Sequence, residues 1–401
     1  MEAATLAPKP DHVPDHLYVN YDAVLDSDND PSLRMPETVS RLFDEHGPLF
    51  WTPRDGGYWM VGDYQAVYDM ARDPETFAND PRIIPALKDV QGAIPVNLDG
   101  ADHAAFRAPL VSALTPATIN AMEKGIRELA AKLSADLLAK GKGDAVTAFA
   151  EPLPVIVFLK LLGLPVERAA EFRDLVALIF ETPDPQQREA VVDRVKEVCA
   201  VTVNERRVKR EDDLISKLLD TRIYDREITH DEMLSYCFQL FAAGLDTVVN
   251  TLGFGIYHLA QDQALQSRLR ADPSLIPDAV EELVRRYAIV QNWRFVTRDC
   301  EFYGVQLKKY DRLLYCSPRA NIDPKVFDDP LTVDIEREGE THMGFFVGPH
   351  RCVGSHLARL EMRVGYEEFL RHIPQFHLDP DRRVTSKRGF TYGLQEVPLV
   401  W

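Results

Sequence analysis

Cys352 stands just ahead of a helical run, Ser355-His356-Leu357-Ala358-Arg359, in the segment Phe345-Phe346-Val347-Gly348-Pro349-His350-Arg351-Cys352-Val353-Gly354. A sulfur at a helix start meets free backbone N–H groups and the positive end of the helix dipole, both of which favour a thiolate. Gly348 and Gly354 flank it, and residues without a β-carbon let the chain turn sharply and pass close to a flat group. The combination suits a sulfur ligand to a metal, although a cysteine taken alone is as readily an inert core residue. Zinc is disfavoured: Cys199, Cys237, Cys300 and Cys316 are isolated, and the His350-x-Cys352 pair has no second CxxC or HxxxH to complete it.

Two more constellations carry chemistry. Asp246-Thr247 closes the run Ala242-Ala243-Gly244-Leu245 inside an apolar stretch, Met233 to Ala260, in which Asp246 is the one formally charged residue. A carboxylate there is costly to ionise without a partner. Thr247 is placed either to act on a bound molecule or simply to bond its own i−4 carbonyl. Glu282 and Arg285 are three residues apart and share one helix face, a pairing that is commonplace in isolation.

The elements that position these residues follow from periodicity. Helical spacing predicts helices over 116–140, 167–179, 186–209, 231–261, 277–287 and 353–371. Short β runs are expected at 48–52 and 58–62, joined through Asp55-Gly56-Gly57 as a hairpin, and again at 294–297, 301–303, 305–307, 313–316 and 395–401. The fold class is mainly α with small β-sheets (α+β). Without an internal repeat or a linker, residues 1–401 read as a single domain, with 1–14 an extended N-terminal arm. The apolar stretch could mimic a membrane span, but Gln239, Asn250 and His258 are poor lipid-facing choices, and a central core helix is the better reading. The basic cluster Arg206, Arg207, Lys209, Arg210 runs into Glu211-Asp212-Asp213 and reads as a solvated helix end. With 46 basic against 63 acidic side chains and a net charge of −17, neither nucleic acid nor an anionic membrane is an expected partner. Five cysteines without close pairing suggest a reducing compartment, hence a cytoplasmic protein.

The cysteine segment resembles the cysteine-loop signature of the cytochrome P-450 superfamily: Phe345, Gly348, His350, Cys352 and Gly354 match it. Phe346 stands where that family usually has glycine, which puts a bulky ring beside the loop. The resemblance implies a P-450 fold with a long central helix over haem b (iron protoporphyrin IX), and Cys352 as its axial iron ligand. It makes Glu282 and Arg285 the structural ExxR lock, with Arg337 a third member. It makes Asp246 and Thr247 an acid-alcohol pair that delivers protons during dioxygen activation, in a locally widened helix. His103, Arg107, Arg294 and His350 fall where the family binds the haem propionates.

The likeness is closest to the bacterial camphor hydroxylases, through 244–250, Gly304-Val305-Gln306-Leu307-Lys308-Lys309, His356-Leu357-Ala358-Arg359 and the terminal Pro398-Leu399-Val400-Trp401. That branch is soluble and takes electrons from a [2Fe-2S] ferredoxin served by an NADH-dependent flavin reductase, docking on the cysteine side with Arg107 in the contact. The substrate positions depart from it. Gln91 replaces a hydrogen-bonding tyrosine, Ala93 a pocket phenylalanine and Arg82 an aromatic residue, while Trp293 refills part of the space beside Val96 and Ala242. Asn79 replaces a carboxylate that helps bind potassium, so that site is not carried over. The expected reaction is hydroxylation of a larger or flatter terpenoid ketone of the ionone type in preference to camphor. A non-catalytic haem-thiolate sensor or carrier would not need Asp246-Thr247, and a peroxide-driven peroxygenase typically lacks that pair.

Overall fold

The structure, a computed structural model, describes residues 6–23, 35–88, 93–181, 185–387 and 391–401. Helices dominate and small sheets lie to one side, as the periodicity predicts. The largest sheet begins with the expected hairpin. Leu49–Thr52 runs antiparallel to Tyr58–Val61 with Trp51 opposite Trp59. The turn between them puts Asp55, Gly56 and Gly57 at positive φ, and a β-carbon on Gly57 would stand 2.4 Å from the Trp51 ring. Arg312–Cys316 joins Tyr58–Val61 in parallel, Gln291–Val296 pairs antiparallel with Arg312–Cys316, and Phe77–Ala78 forms the far edge. Every residue of both hairpin strands is buried. Part of the cover comes from the N-terminal arm, which is not free: the Ala7 N–H donates to the Pro53 carbonyl at 2.9 Å, and Val13 and Leu17 enter the core.

The long apolar stretch forms His230–Leu245 and Thr247–Gln261, divided at Asp246, whose φ and ψ are −96° and −31°. Its start is fixed by a capping box: Thr229 Oγ1 accepts from the Glu232 N–H and Glu232 Oε2 accepts from the Thr229 N–H. By length and composition this helix could cross a bilayer, but 56% of the apolar window is buried inside the fold. Its apolar faces are used against the helices Pro152–Leu162, Pro185–Val208 and Ser355–His372. Ser355–His372 also packs along Glu123–Leu138. Contact with Thr247–Gln261 includes Gly255, where a β-carbon would fall 1.9 Å from Tyr366 Oη. The same hydroxyl donates to the Thr251 carbonyl at 3.3 Å.

The helix expected over 116–140 is two, Pro116–Asn120 and Glu123–Leu138, because the chain turns at Ala121 and Met122. Gly100–Ala113 and Pro152–Leu162 were not predicted as elements. The first contains Pro109, and the second, PLPVIVFLKLL, is apolar apart from Lys160 and shows no amphipathic period. In the basic cluster, Arg206 pairs with Asp213 and Arg210 with Asp220, so the charges are spent locally as expected.

Candidate active site

A cavity of 660 Å3 lies between the middle of the central helix and the cysteine loop. Ala242, Ala243, Gly244, Thr247 and Val248 line one wall, and Phe345, Phe346, Cys352, Val353 and Gly354 line the other. The loop is shaped by close contacts. Gly348 has φ +72°, and a β-carbon there would stand 2.4 Å from the Ala71 carbonyl oxygen. The Cys352 N–H donates to the Phe345 carbonyl at 2.9 Å, and Gly354 opens the helix Ser355–His372.

Cys352 is unpaired and opens onto the cavity. Burial pushes its thiol up, against the pull of the Gly354 N–H and of Arg107, Arg359 and Arg351. A metal bound here would favour the deprotonated sulfur, since ligation requires it.

Phe346 adopts φ +56° and turns into the wall, where its ring stacks on Tyr315 with centroids 4.4 Å apart and planes at 16°. The Arg294 guanidinium lies 4.9 Å from the Phe346 centroid and 5.1 Å from that of Tyr315. On the other side of the loop, Arg359 covers Phe345 at 4.3 Å and forks onto Glu281, which also meets His342 at 3.0 Å. Burial alone would raise the Glu281 carboxyl, but Arg359 and His342 hold it at about 2.

Beneath the loop, Arg285 Nε and Nη2 donate to Glu282 at 2.7 and 2.8 Å, with both residues nearly inaccessible at 2% and 6% exposure. Arg285 Nη1 reaches the Asn321 and Pro330 carbonyls, and Arg337 Nε donates to Glu282 at 3.0 Å. The expected third member is present. Asn321 in turn accepts from the Met343 N–H at 2.7 Å, two residues before Phe345, so the ion pair anchors the segment that leads into the cysteine loop.

On the central helix, Thr247 Oγ1 donates to the Ala243 carbonyl at 2.9 Å, and Asp246 Oδ2 accepts from Asn250 Nδ2 at 2.6 Å. The carboxylate thus has the partner its surroundings demand, and the hydroxyl stands on the cavity wall. A residue that sequence reasoning missed faces the same space: Glu361, on Ser355–His372, lines the cavity at 2% exposure. Burial raises its carboxyl well above the ordinary value, and Oε2 has no hydrogen-bond partner among the described residues. Its signal in the sequence is one carboxylate nine residues beyond Cys352, which looks like any helix-surface glutamate.

His103, Arg107 and His350 line the cavity, whereas Arg294 lies behind its wall, over the rings of Tyr315 and Phe346. His103 stacks on His350 at 4.0 Å, and its Nε2 is buried without a partner among the described residues. Burial, with His350 and Arg107 adding to it, pushes the His103 imidazole down to about 4. Arg294 is 3% exposed and donates to the Trp293 carbonyl, while Arg107 donates to that of Arg351. A wall of guanidinium and imidazole donors with an orphan nitrogen, beside a sulfur in a flat slot, fits a planar dicarboxylate with a central metal, which is haem b.

Of the expected substrate contacts, Ala93, Val96, Ala242 and Trp293 line the cavity, and Gln91 lies outside the described residues. Arg82 does not: it is exposed and forks onto Asp80 at 2.7 Å through Nε and Nη2, a pairing at the surface that avoids burying its charge. Asn79 donates to Asp99 through both its backbone and side chain.

The family profile described as Cytochrome P450 matches residues 159–392, a span containing Asp246-Thr247, Glu282, Arg285 and Cys352. The probable cytochrome P450 127A1 of Sinorhizobium fredii is 32% identical over 98% of this chain and 97% of its own length. Among solved structures, CYP101J2 and CYP101C1 each superpose with a TM-score of 0.88 at 32% identity, covering 98% of this chain and 100% of theirs, in agreement with the branch that the sequence resembles. Profile, relatives and site geometry converge: the chain belongs to the cytochrome P450 family and is a haem b monooxygenase.

Proposed function

We propose that this protein hydroxylates an apolar terpenoid ketone of the ionone type in preference to camphor. Electrons come from a [2Fe-2S] ferredoxin and its NADH-dependent flavin reductase, residues 1–401 act as one catalytic unit, and the site of action is the cytoplasm. The observation that carries the reading is Thr247 on the cavity wall opposite Cys352, with the Asp246 carboxylate next to it in the helix and bonded to Asn250. Haem, when bound, supplies the redox-active iron at which dioxygen is activated. Cys352 Sγ would hold the metal, and His103, Arg107, Arg294 and His350 would hold the propionates. Asp246 takes up a proton from the solvent side while Asn250 steadies its Oδ2. Thr247 Oγ1, released from the Ala243 carbonyl, passes that proton into the cavity. Glu282, Arg285 and Arg337 keep the cysteine loop in place and take no part in the chemistry.

The shape of the cavity supports the substrate class. Ala93 in the wall leaves room for a flat ring, and Trp293, held edge-on by Tyr58 at 5.0 Å, supplies one apolar boundary. A sensor or carrier has no use for a hydroxyl and carboxylate at the place where oxygen is cleaved. The test is turnover of the haem-loaded protein with ferredoxin, reductase and NADH, alongside optical titration with ionones and with camphor. Ionones are expected to shift the spin state and to be hydroxylated. A full shift with camphor and none with ionones overturns the substrate reading, and efficient product formation with hydrogen peroxide alone overturns the partner reading.

A further inference from the structure

Ser235, Gln239, Ala243 and Thr247 recur every four residues and so share one face of the central helix. Three of these four positions have polar contacts along that face. Ser235 Oγ accepts from the Ile94 N–H at 3.0 Å, and Thr247 Oγ1 donates to the Ala243 carbonyl. Gln239 lies between them, half-buried and lining the cavity, and its amide has no hydrogen-bond partner among the described residues. The walls nearby are apolar, with Phe158, Leu161, Leu214 and Leu240 also lining the cavity. An amide offers two donors and two lone pairs, and closing an apolar ligand over it without a partner is costly.

We propose that Gln239 is the polar anchor of the substrate: its side-chain N–H donates to a carbonyl or hydroxyl oxygen at the end of the ligand remote from Cys352. Eight residues of helix separate Gln239 from Thr247, about 12 Å along the axis. Allowing for the reach of the glutamine, the anchored oxygen sits about 8–12 Å from the carbon presented beside Thr247. The ligand is therefore an elongated, otherwise apolar molecule carrying one hydrogen-bonding oxygen near one end. A compact bicyclic ketone cannot span both points, and a pure hydrocarbon leaves the amide unpaired. This rests on the reading of the cavity as a terpenoid site and adds which group recognises the ligand and where it is oxidised.

The experiment is optical titration of the haem-loaded protein with β-ionone and with the hydrocarbon of the same skeleton lacking oxygen. Wild type is compared with Gln239→Leu and Gln239→Met, two substitutions of similar volume. The carbon monoxide complex of each variant confirms that haem-thiolate ligation is intact. Wild type is expected to bind the ketone about tenfold or more tighter than the hydrocarbon. Both variants are expected to bring the two within about twofold by weakening the ketone alone. An unchanged preference in the variants, or no preference in wild type, overturns the anchor while leaving the terpenoid reading in place. Absence of any spin shift with either ligand removes the terpenoid reading, and the anchor with it.

Discussion

Asp99 Oδ1 and His350 Nε2 meet at 3.3 Å, which links the base of the 79–97 loop to the basic wall of the cavity. Asp99 precedes the helix Gly100–Ala113, yet its side chain does not cap that helix. It accepts from the Asn79 N–H at 2.7 Å, from Asn79 Nδ2 at 2.8 Å and from the Asp80 N–H at 3.3 Å. Asn97 completes the tie by donating to the Asn79 carbonyl and accepting from the Ala93 N–H.

Replacing Asp99 by Ala is expected to free that loop and weaken substrate binding by about tenfold. The carbon monoxide complex should keep its thiolate absorption, so a spin-shift titration separates a positioning role from loss of haem. Burial alone would raise the Asp99 carboxyl, but His350 and Asn79 hold it below its ordinary value. Its contribution is therefore present above the unfolded value of about 3.9 and is lost as pH falls below that, through the depressed folded value.

Phe346→Gly removes the ring stacked on Tyr315 and at the same time relieves a residue at φ +56°. Deleting a buried phenylalanine costs ~3–5 kcal/mol and the strain returned is ~1 kcal/mol, so the net expectation is destabilisation by about 2–4 kcal/mol. Thermal unfolding measures it, and an unchanged Tm refutes the packing role.

Arg285→Ala leaves Glu282 charged and enclosed at 6% exposure. Breaking such a pair costs ~3–5 kcal/mol. Because the Asn321 carbonyl, a partner of Arg285, belongs to the residue that holds Met343, the variant should also retain haem poorly. The ratio of haem absorbance to protein after gel filtration reports this directly.

Glu361→Gln should be nearly silent in stability, within about 0.5 kcal/mol at neutral pH, because burial raises the carboxyl and favours its neutral form, which an amide matches in shape and charge. A large gain in Tm would instead indicate that a charge had been removed.

His258 is held down to about 4 by burial, with Asp262 opposing and Arg286 adding. The unfolded side chain titrates near 6.5, so stability is complete above that value and falls as pH drops from about 6.5 towards 4, by up to ~3 kcal/mol. Urea unfolding of wild type and His258→Gln across that range tests the sign, since the variant should show a flatter dependence.

The cysteine loop and the Glu282–Arg285 pair were readable because their spacing, weak evidence in isolation, matches the motifs of the family that the sequence resembles. The hairpin was readable from Asp55-Gly56-Gly57 because only a few residue types accept positive φ. Gln239 was visible as an oddity in an apolar stretch, but which side of the helix faces a cavity depends on packing against Pro152–Leu162 and the 93–97 segment. Asp99 was not singled out in the sequence, and only the fold shows it ahead of the helix Gly100–Ala113 with its carboxylate bonded to Asn79. Arg82 was misplaced for the opposite reason: matching it to a pocket position took no account of Asp80 two residues earlier, which keeps the guanidinium in water.

The touching of Gly255 and Tyr366 works as a spacer gauge. The helix that carries the hydroxyl and the helix that follows the cysteine loop meet there, so the thickness of that joint bears on how far apart the ceiling and floor of the slot are held. A methyl group at 255 would act as a shim and a smaller residue at 366 as its removal. The separation of Thr247 from Cys352 is thus adjustable from a point that touches neither.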